Sequence, residues 1–77
     1  MTDLELKIKA IVAKTLGVSE SEITPEVNFV EDLEADSLDI VEMIMETERC
    51  FGISIPDDQV DNILTFKGLT EYVESRT

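Results

Sequence analysis

Residues 36–52 read DSLDIVEMIMETERCFG, a stretch that carries two separate sets of apolar side chains. At about 100° per residue, the first set falls on one side of a helix; its members are Ile40, Met43, Ile44, Thr47 and Phe51. The second set falls on the opposite side and consists of Leu38, Val41 and Met45. Asp36 is a favoured N-cap residue and Gly52 is a frequent helix stop. The pattern therefore predicts a helix that begins near Asp36, ends at Phe51 and has a core face and a second apolar face.

The second apolar face predicts a docking surface. A helix in so small a domain usually buries one face, and the flanks of this stripe carry acidic residues; these are Asp39, Glu42, Glu46 and Glu48. Unpaired carboxylates are seldom buried, which disfavours the alternative of a central helix buried on all sides. An exposed apolar stripe with an acidic rim is typical of a surface that binds a basic partner.

The charge of the chain is strongly one-sided. Eighteen acidic residues oppose six basic residues among 77, for a net charge of -12. Fourteen of the acidic residues lie between positions 20 and 61, where Arg49 is the one basic residue. Binding to nucleic acid or to anionic lipid needs a basic face, so this composition excludes a general nucleic-acid binder and argues against docking on membranes. A basic protein partner or a cation is the natural counterpart.

The composition also excludes several kinds of chemistry. The chain has no histidine, which rules out Ser-His-Asp catalysis, Cys-His catalysis and histidine-ligated metals. Cys50 is the only cysteine, so there is no internal disulfide and no zinc cluster. Residues 1–9 lack the pattern of a secretion signal, and no apolar stretch reaches the roughly 20 residues that span a membrane. We therefore expect a cytoplasmic protein without membrane insertion, a bound metal or an enzymatic activity.

The remaining sequence predicts a small all-α domain over residues 1–77. The first helix has one buried face and ends at Gly17; this face comprises Leu4, Ile8, Ile11, Val12, Thr15 and Leu16. Asp57 and Asp58 open a short helical turn, which carries Val60 and Ile63. Thr65 caps a last helix, whose inward residues are Phe66, Leu69, Tyr72 and Val73. The prediction is a four-helix bundle of three longer helices and one short helix.

Residues 18–36 show no sustained period and predict a long irregular connection. Ser19 and Glu22 match a capping box for a short turn, and Thr24-Pro25 breaks any helix. A connection of this length must be held by its own apolar residues; those available are Val18, Ile23, Val27, Phe29, Val30 and Leu33.

Residues 32–39 read DLEADSLD and resemble the attachment region of acyl carrier proteins. The attachment motif of that family is Asp-Ser-Leu at the start of its second helix, and here it reads Asp36-Ser37-Leu38. The triplet alone is a weak signal, and by position alone Ser37 is typical of an ordinary helix start. However, LGV at residues 16–18, Phe29 and FGISIPD at residues 51–57 also follow the family's spacing. The resemblance therefore covers nearly the whole chain.

The resemblance implies a carrier and not a catalyst. In the family, a separate transferase moves 4'-phosphopantetheine from coenzyme A onto the motif serine as a phosphodiester. Cargo then forms a thioester with the thiol of this arm. Ser37 would be the attachment residue, and because the chain has no histidine the activating base must come from the transferase. The implied function is that of a monomeric carrier that presents acyl groups to the enzymes of fatty-acid, or related lipid and polyketide, synthesis.

The resemblance also assigns the two faces of the second helix. Its partner-facing positions would meet basic patches on the transferase and on acyl-processing enzymes; they are Leu38, Asp39, Val41, Glu42, Met45 and Glu48. Its interior positions would line the space into which an acyl chain folds; they are Phe29, Ile44, Thr47, Val60, Ile63, Leu69 and Tyr72. Ordinary core packing also accounts for the interior set, and the two roles are compatible.

Four residues depart from the family pattern. Glu34 stands where glycine is common, and Thr47 replaces a large aliphatic residue, so we expect a more polar inner wall. Arg49 stands where an acid is common, which weakens the acidic face. Cys50, on the same turn, is expected to be a semi-buried small residue. These changes hint at a specialised carrier as well as the housekeeping one.

Two alternatives remain open. One is a carrier for aminoacyl or polyketide cargo. The other is a small acidic calcium-binding module, because Asp32, Glu34 and Asp36 alternate like the first ligands of an EF-hand loop. That match fails at Ser37, where the loop requires glycine, and at Met43, where it requires a bidentate glutamate.

Overall fold

The computed structural model describes residues 2–77, which form three α-helices and two 3-10 helices. The α-helices are α1 (Asp3–Leu16), α2 (Ser37–Phe51) and α3 (Phe66–Arg76). The first 3-10 helix spans Glu20–Glu22 and the second spans Asp57–Ile63. The predicted all-α architecture of three longer helices and one short helix is confirmed, and the second 3-10 helix is the short one. Met1, the first residue of the predicted domain, lies outside the described residues.

Local sequence signals set the ends of the helices. Asp36 caps α2 and Thr65 caps α3, each through a side chain that accepts a backbone N–H three residues further on. Gly17 and Gly52 end α1 and α2 in the left-handed conformation, which glycine adopts without steric cost. All four residues act as predicted.

Thr2 and Glu5 form a reciprocal capping box at the start of α1. The Glu5 backbone N–H donates to the Thr2 hydroxyl at 3.2 Å, and the Thr2 backbone N–H donates to the Glu5 carboxylate at 3.1 Å. The backbone N–H and the hydroxyl of Thr2 stabilise the ionised carboxylate and lower the pKa of Glu5 from its ordinary value of 4.5.

The core combines apolar residues from all three α-helices and from the segments between them. Its fully buried members include Ile8, Val12, Phe29, Met43, Ile63 and Leu69. Thr47 is also fully buried, and its hydroxyl donates to the Met43 carbonyl at 2.8 Å. Because this hydroxyl is satisfied within α2, it gives the interior no free donor, contrary to the expectation of a more polar inner wall.

The connection between α1 and α2 is ordered by hydrogen bonds around Asn28. The Asn28 side-chain oxygen accepts the backbone N–H groups of Val30 and Glu31 at 2.9 and 2.8 Å. The Asn28 backbone N–H donates to the Asp32 carboxylate at 2.8 Å. These bonds give a defined path to a segment whose sequence has no helical or strand period.

Two contacts tie this connection to the segment that precedes α3. The backbone N–H of the fully buried Phe29 donates to the Leu64 carbonyl at 2.8 Å, and an isolated β-bridge joins Asn28 to Thr65. Val30 was predicted to help to hold the connection, but its side chain is 43% exposed. The prediction for Val30 is wrong because the turn around Asn28 directs this residue outward.

Cys50 tests a prediction about packing, and Gly68 allows a close contact between two helices. Cys50 is exposed and not semi-buried, because it lies at the edge of the core face in the last turn of α2. A Cβ atom at Gly68 would lie 2.2 Å from the Asn62 carbonyl oxygen. Glycine at this position therefore allows α3 to pack closely on the second 3-10 helix.

Candidate functional site

Ser37 is the first residue of α2 and is exposed. The Asp36 carboxylate accepts the Asp39 backbone N–H at 2.9 Å, and the Asp39 carboxylate accepts the Asp36 backbone N–H at 3.2 Å. This reciprocal capping box fixes the point at which the chain enters the helix. The unpaired backbone N–H groups of the first turn and the helix dipole favour an anion at this end. The serine hydroxyl is thus held where a phosphate group would be stabilised.

Glu34 has a left-handed backbone conformation, with φ of 56°. Residues with a Cβ adopt this region reluctantly, whereas glycine adopts it freely. The next residue, Ala35, is buried, and its backbone N–H donates to the Phe29 carbonyl at 2.9 Å. The turn at Glu34 therefore leads the chain through the buried Ala35 to Asp36, the N-cap of α2.

The second apolar face of α2 is exposed, as predicted. Leu38, Val41 and Met45 are 64, 49 and 62% exposed, and we call these three residues the ridge. Glu42 is exposed beside the ridge, whereas Asp39 is half-buried and committed to the cap. The surface of α2 therefore has an apolar centre, the ridge, with an acidic residue on its flank. The ridge begins at Leu38, directly after Ser37 in the sequence.

A groove of about 670 Å³ runs along one side of the ridge, and Ser37 is among the residues that line it. Its α2 wall includes Ile40 and Ile44, which lie three and seven residues after Ser37 and so share its side of the helix. Val60 of the second 3-10 helix lines the groove as well. The exposed hydroxyl group of Ser37 therefore lies beside a mostly apolar groove.

The groove includes only part of the predicted interior set. Ile44 and Val60 line it. The other members pack elsewhere in residues 2–77 and do not line it; they are Phe29, Thr47, Ile63, Leu69 and Tyr72. The reason is that three buried lining residues, Ala35, Ile40 and Ile55, also belong to the core and form the floor of the groove. Two of the seven predicted residues therefore line the groove in this structure, and contact of the other five with an acyl chain stays a prediction.

The sequence did not predict that Ile40, Ile55 and Leu64 line a groove. Ile40 has a signal, because its three-residue spacing from Ser37 places the two residues on one side of α2. Ile55 and Leu64 have no comparable signal. Their positions depend on how the segments before and after the second 3-10 helix fold back on α2.

Glu48 was predicted as a partner contact, but it already has a partner within the chain. Its carboxylate accepts the Ile55 backbone N–H at 2.6 Å. A second groove, of about 660 Å³, runs along the other flank of the ridge beside Lys14 of α1. Met45 and Glu48 border both grooves, so the ridge stands between two depressions. Beside the second groove, Arg49 forms an ion pair with Glu46.

The structure gives no support to a metal site or a membrane span. Among residues 2–77, no three acidic or cysteine side chains are grouped so that they could hold a metal ion. The carboxylates of Asp32 and Asp36, two of the proposed EF-hand ligands, accept backbone N–H groups at 2.8 and 2.9 Å instead. In the described part of the chain, every helix is too short or too polar to cross a membrane.

Comparison with known proteins identifies the family. The family described as "Phosphopantetheine attachment site" matches residues 6–73. An acyl carrier protein of Rubrobacter xylanophilus is 57% identical over 67 residues, which cover 87% of this chain and 83% of that protein.

Two solved structures are similar over nearly the whole chain. The acyl carrier protein of Enterococcus faecalis has a TM-score of 0.83 and 28% identity, with all of both chains covered. A solution structure described as that of an acyl carrier protein from Anaplasma phagocytophilum has a TM-score of 0.89. It covers 97% of this chain and 89% of its own, and at 23% identity it supports the fold alone. Taken with the sequence match over residues 6–73, these similarities show that the chain belongs to the acyl carrier protein family.

Proposed function

We propose that this chain carries acyl groups as thioesters on a 4'-phosphopantetheine arm attached to Ser37. It presents them to the enzymes of fatty-acid, or related lipid and polyketide, synthesis. One observation carries the proposal: the exposed Ser37 lies in the first turn of α2 and also lines the groove. Membership of the family supports the identity of the arm. The chain is a carrier, and its partners supply the catalysis.

The residues around Ser37 fit a phosphodiester. The first-turn backbone N–H groups and the helix dipole stabilise its negative charge. Asp36 and Asp39 each direct a carboxylate oxygen at the other's backbone N–H, which reduces their repulsion of a phosphate. When it is bound, the arm supplies the thiol that holds the acyl group. The chain's own residues present the hydroxyl and leave its deprotonation to a base on the transferase.

The groove accommodates the acyl chain of the cargo. Its volume of about 670 Å³ falls within the range of about 300–1,000 Å³ that is usual for small-molecule sites. Ile40, Ile44 and Val60 give it apolar walls. Each methylene group that leaves water contributes about 0.8 kcal/mol, so an acyl chain is favoured in the groove over solvent.

The ridge is the docking surface for the transferase and for acyl-processing enzymes with basic patches. Its exposed apolar centre supplies contact area, and the acidic flank, which includes Glu42, attracts a positive partner. Glu48 adds a charge at the border of both grooves, although one of its oxygens is bonded to Ile55. We further propose that the chain works as one monomeric domain in the cytoplasm.

A specialised cargo is the second candidate, and Arg49 is the observation that favours it. The Arg49 side chain is 75% exposed beside the ridge and neutralises Glu46 there. The partner enzymes must accept a positive charge at a position where an acid is common in the family. Aminoacyl or polyketide cargo therefore remains within the proposal.

Intact-protein mass spectrometry tests the attachment. Incubation of the full chain with coenzyme A, Mg²⁺ and a phosphopantetheinyl transferase should add the mass of one phosphopantetheine group. Ser37→Ala should abolish the addition, whereas the matched variant Ser54→Ala, at another exposed serine, should retain it. Circular dichroism should show equal helix content in both variants. An addition to Ser37→Ala, or none to the unsubstituted chain with several active transferases, would contradict the proposal.

A further inference from the structure

The segment between α2 and the second 3-10 helix, residues 53–56, is held by two side chains from different helices. Glu48 of α2 accepts the Ile55 backbone N–H at 2.6 Å. Tyr72 of α3 donates its hydroxyl to the Ser54 carbonyl at 3.2 Å. The two bonds fasten adjacent residues of an irregular segment from opposite sides, and we call Glu48 and Tyr72 the clasp.

The clasp holds one part of the groove floor in place. Ile55 lines the groove, belongs to the core and is 5% exposed. The other two floor residues are fixed by backbone hydrogen bonds: Ile40 within α2, and Ala35 through its N–H to the Phe29 carbonyl. The backbone N–H of Ile55 is bonded to a side chain instead. Ile55 is therefore the floor residue whose position depends on side-chain contacts.

The hydrogen bonds made by Glu48 and by Tyr72 differ in strength and in the contacts that restrain each side chain. A carboxylate that accepts a backbone N–H makes a charge-assisted bond, which is stronger than a bond between neutral groups. Glu48 is therefore the stronger half. The ring of Tyr72 lies 5.0 Å from the Arg76 guanidinium, measured to the ring centroid, and this cation–π contact restrains the weaker half.

We propose that the clasp sets the length of acyl chain that the groove accepts, an inference that rests on the function proposed above. With the clasp closed, the buried Ile55 forms part of the groove floor. When the clasp opens, Ile55 moves aside and a longer chain reaches the interior, where Phe29 and Leu69 are fully buried. Glu48 and Tyr72 are positioning residues that act through Ile55. Their role is thus distinct from the partner contact and the pocket lining that the resemblance implied.

The test uses the full chain without an arm and straight-chain primary alcohols of increasing length. These probes are neutral, so the acidic surface does not repel them. Binding is followed through the NMR signals of the Ile44 and Val60 methyl groups, which line the groove. Each further buried methylene should raise the affinity about fourfold. In the unsubstituted chain the rise should stop at a limiting length, and in Glu48→Ala/Tyr72→Phe it should continue for longer alcohols.

Amide hydrogen exchange separates the clasp from a general loss of stability. Exchange of the Ile55 amide should become about tenfold faster in the double variant, since it loses its acceptor. Exchange of the Phe29 amide, which is bonded to the Leu64 carbonyl, should not change. The single variant Glu48→Gln keeps an oxygen acceptor for the Ile55 amide. It should therefore show the slow exchange and the length limit of the unsubstituted chain. Glu74→Ala removes the same charge at an exposed position of α3 and should behave like the unsubstituted chain.

Two results would overturn the inference. One is an unchanged length limit in Glu48→Ala/Tyr72→Phe. The other is an equal acceleration of exchange at Ile55 and Phe29, which would indicate that the whole domain loosens. Since no arm is attached in these experiments, they do not depend on the modification of Ser37. The inference and the proposed function can therefore fail separately.

Discussion

Ser37 owes its proposed role to position and not to intrinsic reactivity. The chain has no histidine to activate the hydroxyl, and an unperturbed serine is a weak nucleophile. The chain instead fixes the position of this hydroxyl: the Asp36–Asp39 capping box sets the first turn of α2, and Ser37 lines the groove. A carrier needs this arrangement, because its partner enzymes bring the catalytic groups.

Glu34→Gly should stabilise the fold. Glu34 has φ of 56°, a conformation that costs a residue with a Cβ atom roughly 1–2 kcal/mol. Part of this gain is lost because glycine makes the unfolded chain more flexible, so we expect a net increase of about 1 kcal/mol in the free energy of unfolding. Urea denaturation at fixed salt measures it. Glu31→Gly is the matched control, since it removes the same charge from the same connection without a left-handed backbone to relieve. If the two variants change the free energy of unfolding equally, the backbone of Glu34 is not strained.

At the scale of a single element, the capping box of α1 makes the stability depend on pH. Hydrogen bonds from Thr2 lower the pKa of Glu5 in the folded chain from its ordinary value of 4.5. A carboxylate with a lowered pKa contributes stability above its unfolded value, and the contribution is lost as the pH falls through the folded value. As the pH falls below 4.5, the unsubstituted chain should therefore lose more stability than Glu5→Gln.

Thermal unfolding at a series of pH values measures this difference. Glu74→Gln, at an exposed position of α3, removes the same charge and serves as the control. It should follow the unsubstituted chain through the acid range, apart from a constant offset. If Glu5→Gln follows the same curve, the capping box does not shift the Glu5 titration.

The ridge of α2 should behave as an electrostatically assisted docking surface. Met45→Ala removes an apolar contact and Glu42→Lys reverses a flanking charge, and each should weaken transferase binding by about 1 kcal/mol or more. Binding should also weaken as salt screens the acidic flank, since the Debye length is about 8 Å at physiological ionic strength. Surface plasmon resonance at several salt concentrations measures both effects. Leu6→Ala, at an exposed apolar residue of α1, should bind normally. Binding that is independent of salt would argue against this account.

The helices and the exposed ridge could be predicted because their signals are local. Spacings of three and four residues fix a helix face, and Asp36 and Gly52 mark its ends. The floor of the groove could not be predicted in this way. Ile55 reaches it through a side-chain bond to Glu48, seven residues earlier, and no local period encodes that contact. Phe29 and Leu69, which the resemblance grouped with Ile44, belong to the core and do not line the groove, so their contact with an acyl chain stays a prediction.

At the scale of the whole molecule, the dominant feature is uncompensated negative charge. The net charge is -12, and within residues 2–77 Arg49 and Glu46 form the single ion pair between side chains. Repulsion among the acidic residues opposes the compact state, and a domain of this size has a small core to resist it. Cations should therefore stabilise the fold.

Millimolar Ca²⁺ or Mg²⁺ should raise the melting temperature, because ions that favour the folded chain stabilise it by mass action. Monovalent salt should produce part of the rise by screening. Differential scanning calorimetry at constant pH measures both effects. The two divalent ions should act similarly, since the described residues offer no cluster of three ligands. A melting temperature that is unaffected by salt and by divalent ions would contradict the repulsion, and tight single-site Ca²⁺ binding would revive the calcium-binding alternative.

The central claim, that Ser37 and the groove form one carrier site, is tested most directly by locating the cargo. The measurement is a set of nuclear Overhauser effects on the chain loaded at Ser37 with a medium-length acyl group. We predict contacts from the acyl methylene groups to the methyl groups of Ile44, Ile55 and Val60, which line the groove. An acyl chain that contacts none of these methyl groups and remains in solvent, or that lies in the second groove beside Lys14, would contradict the account.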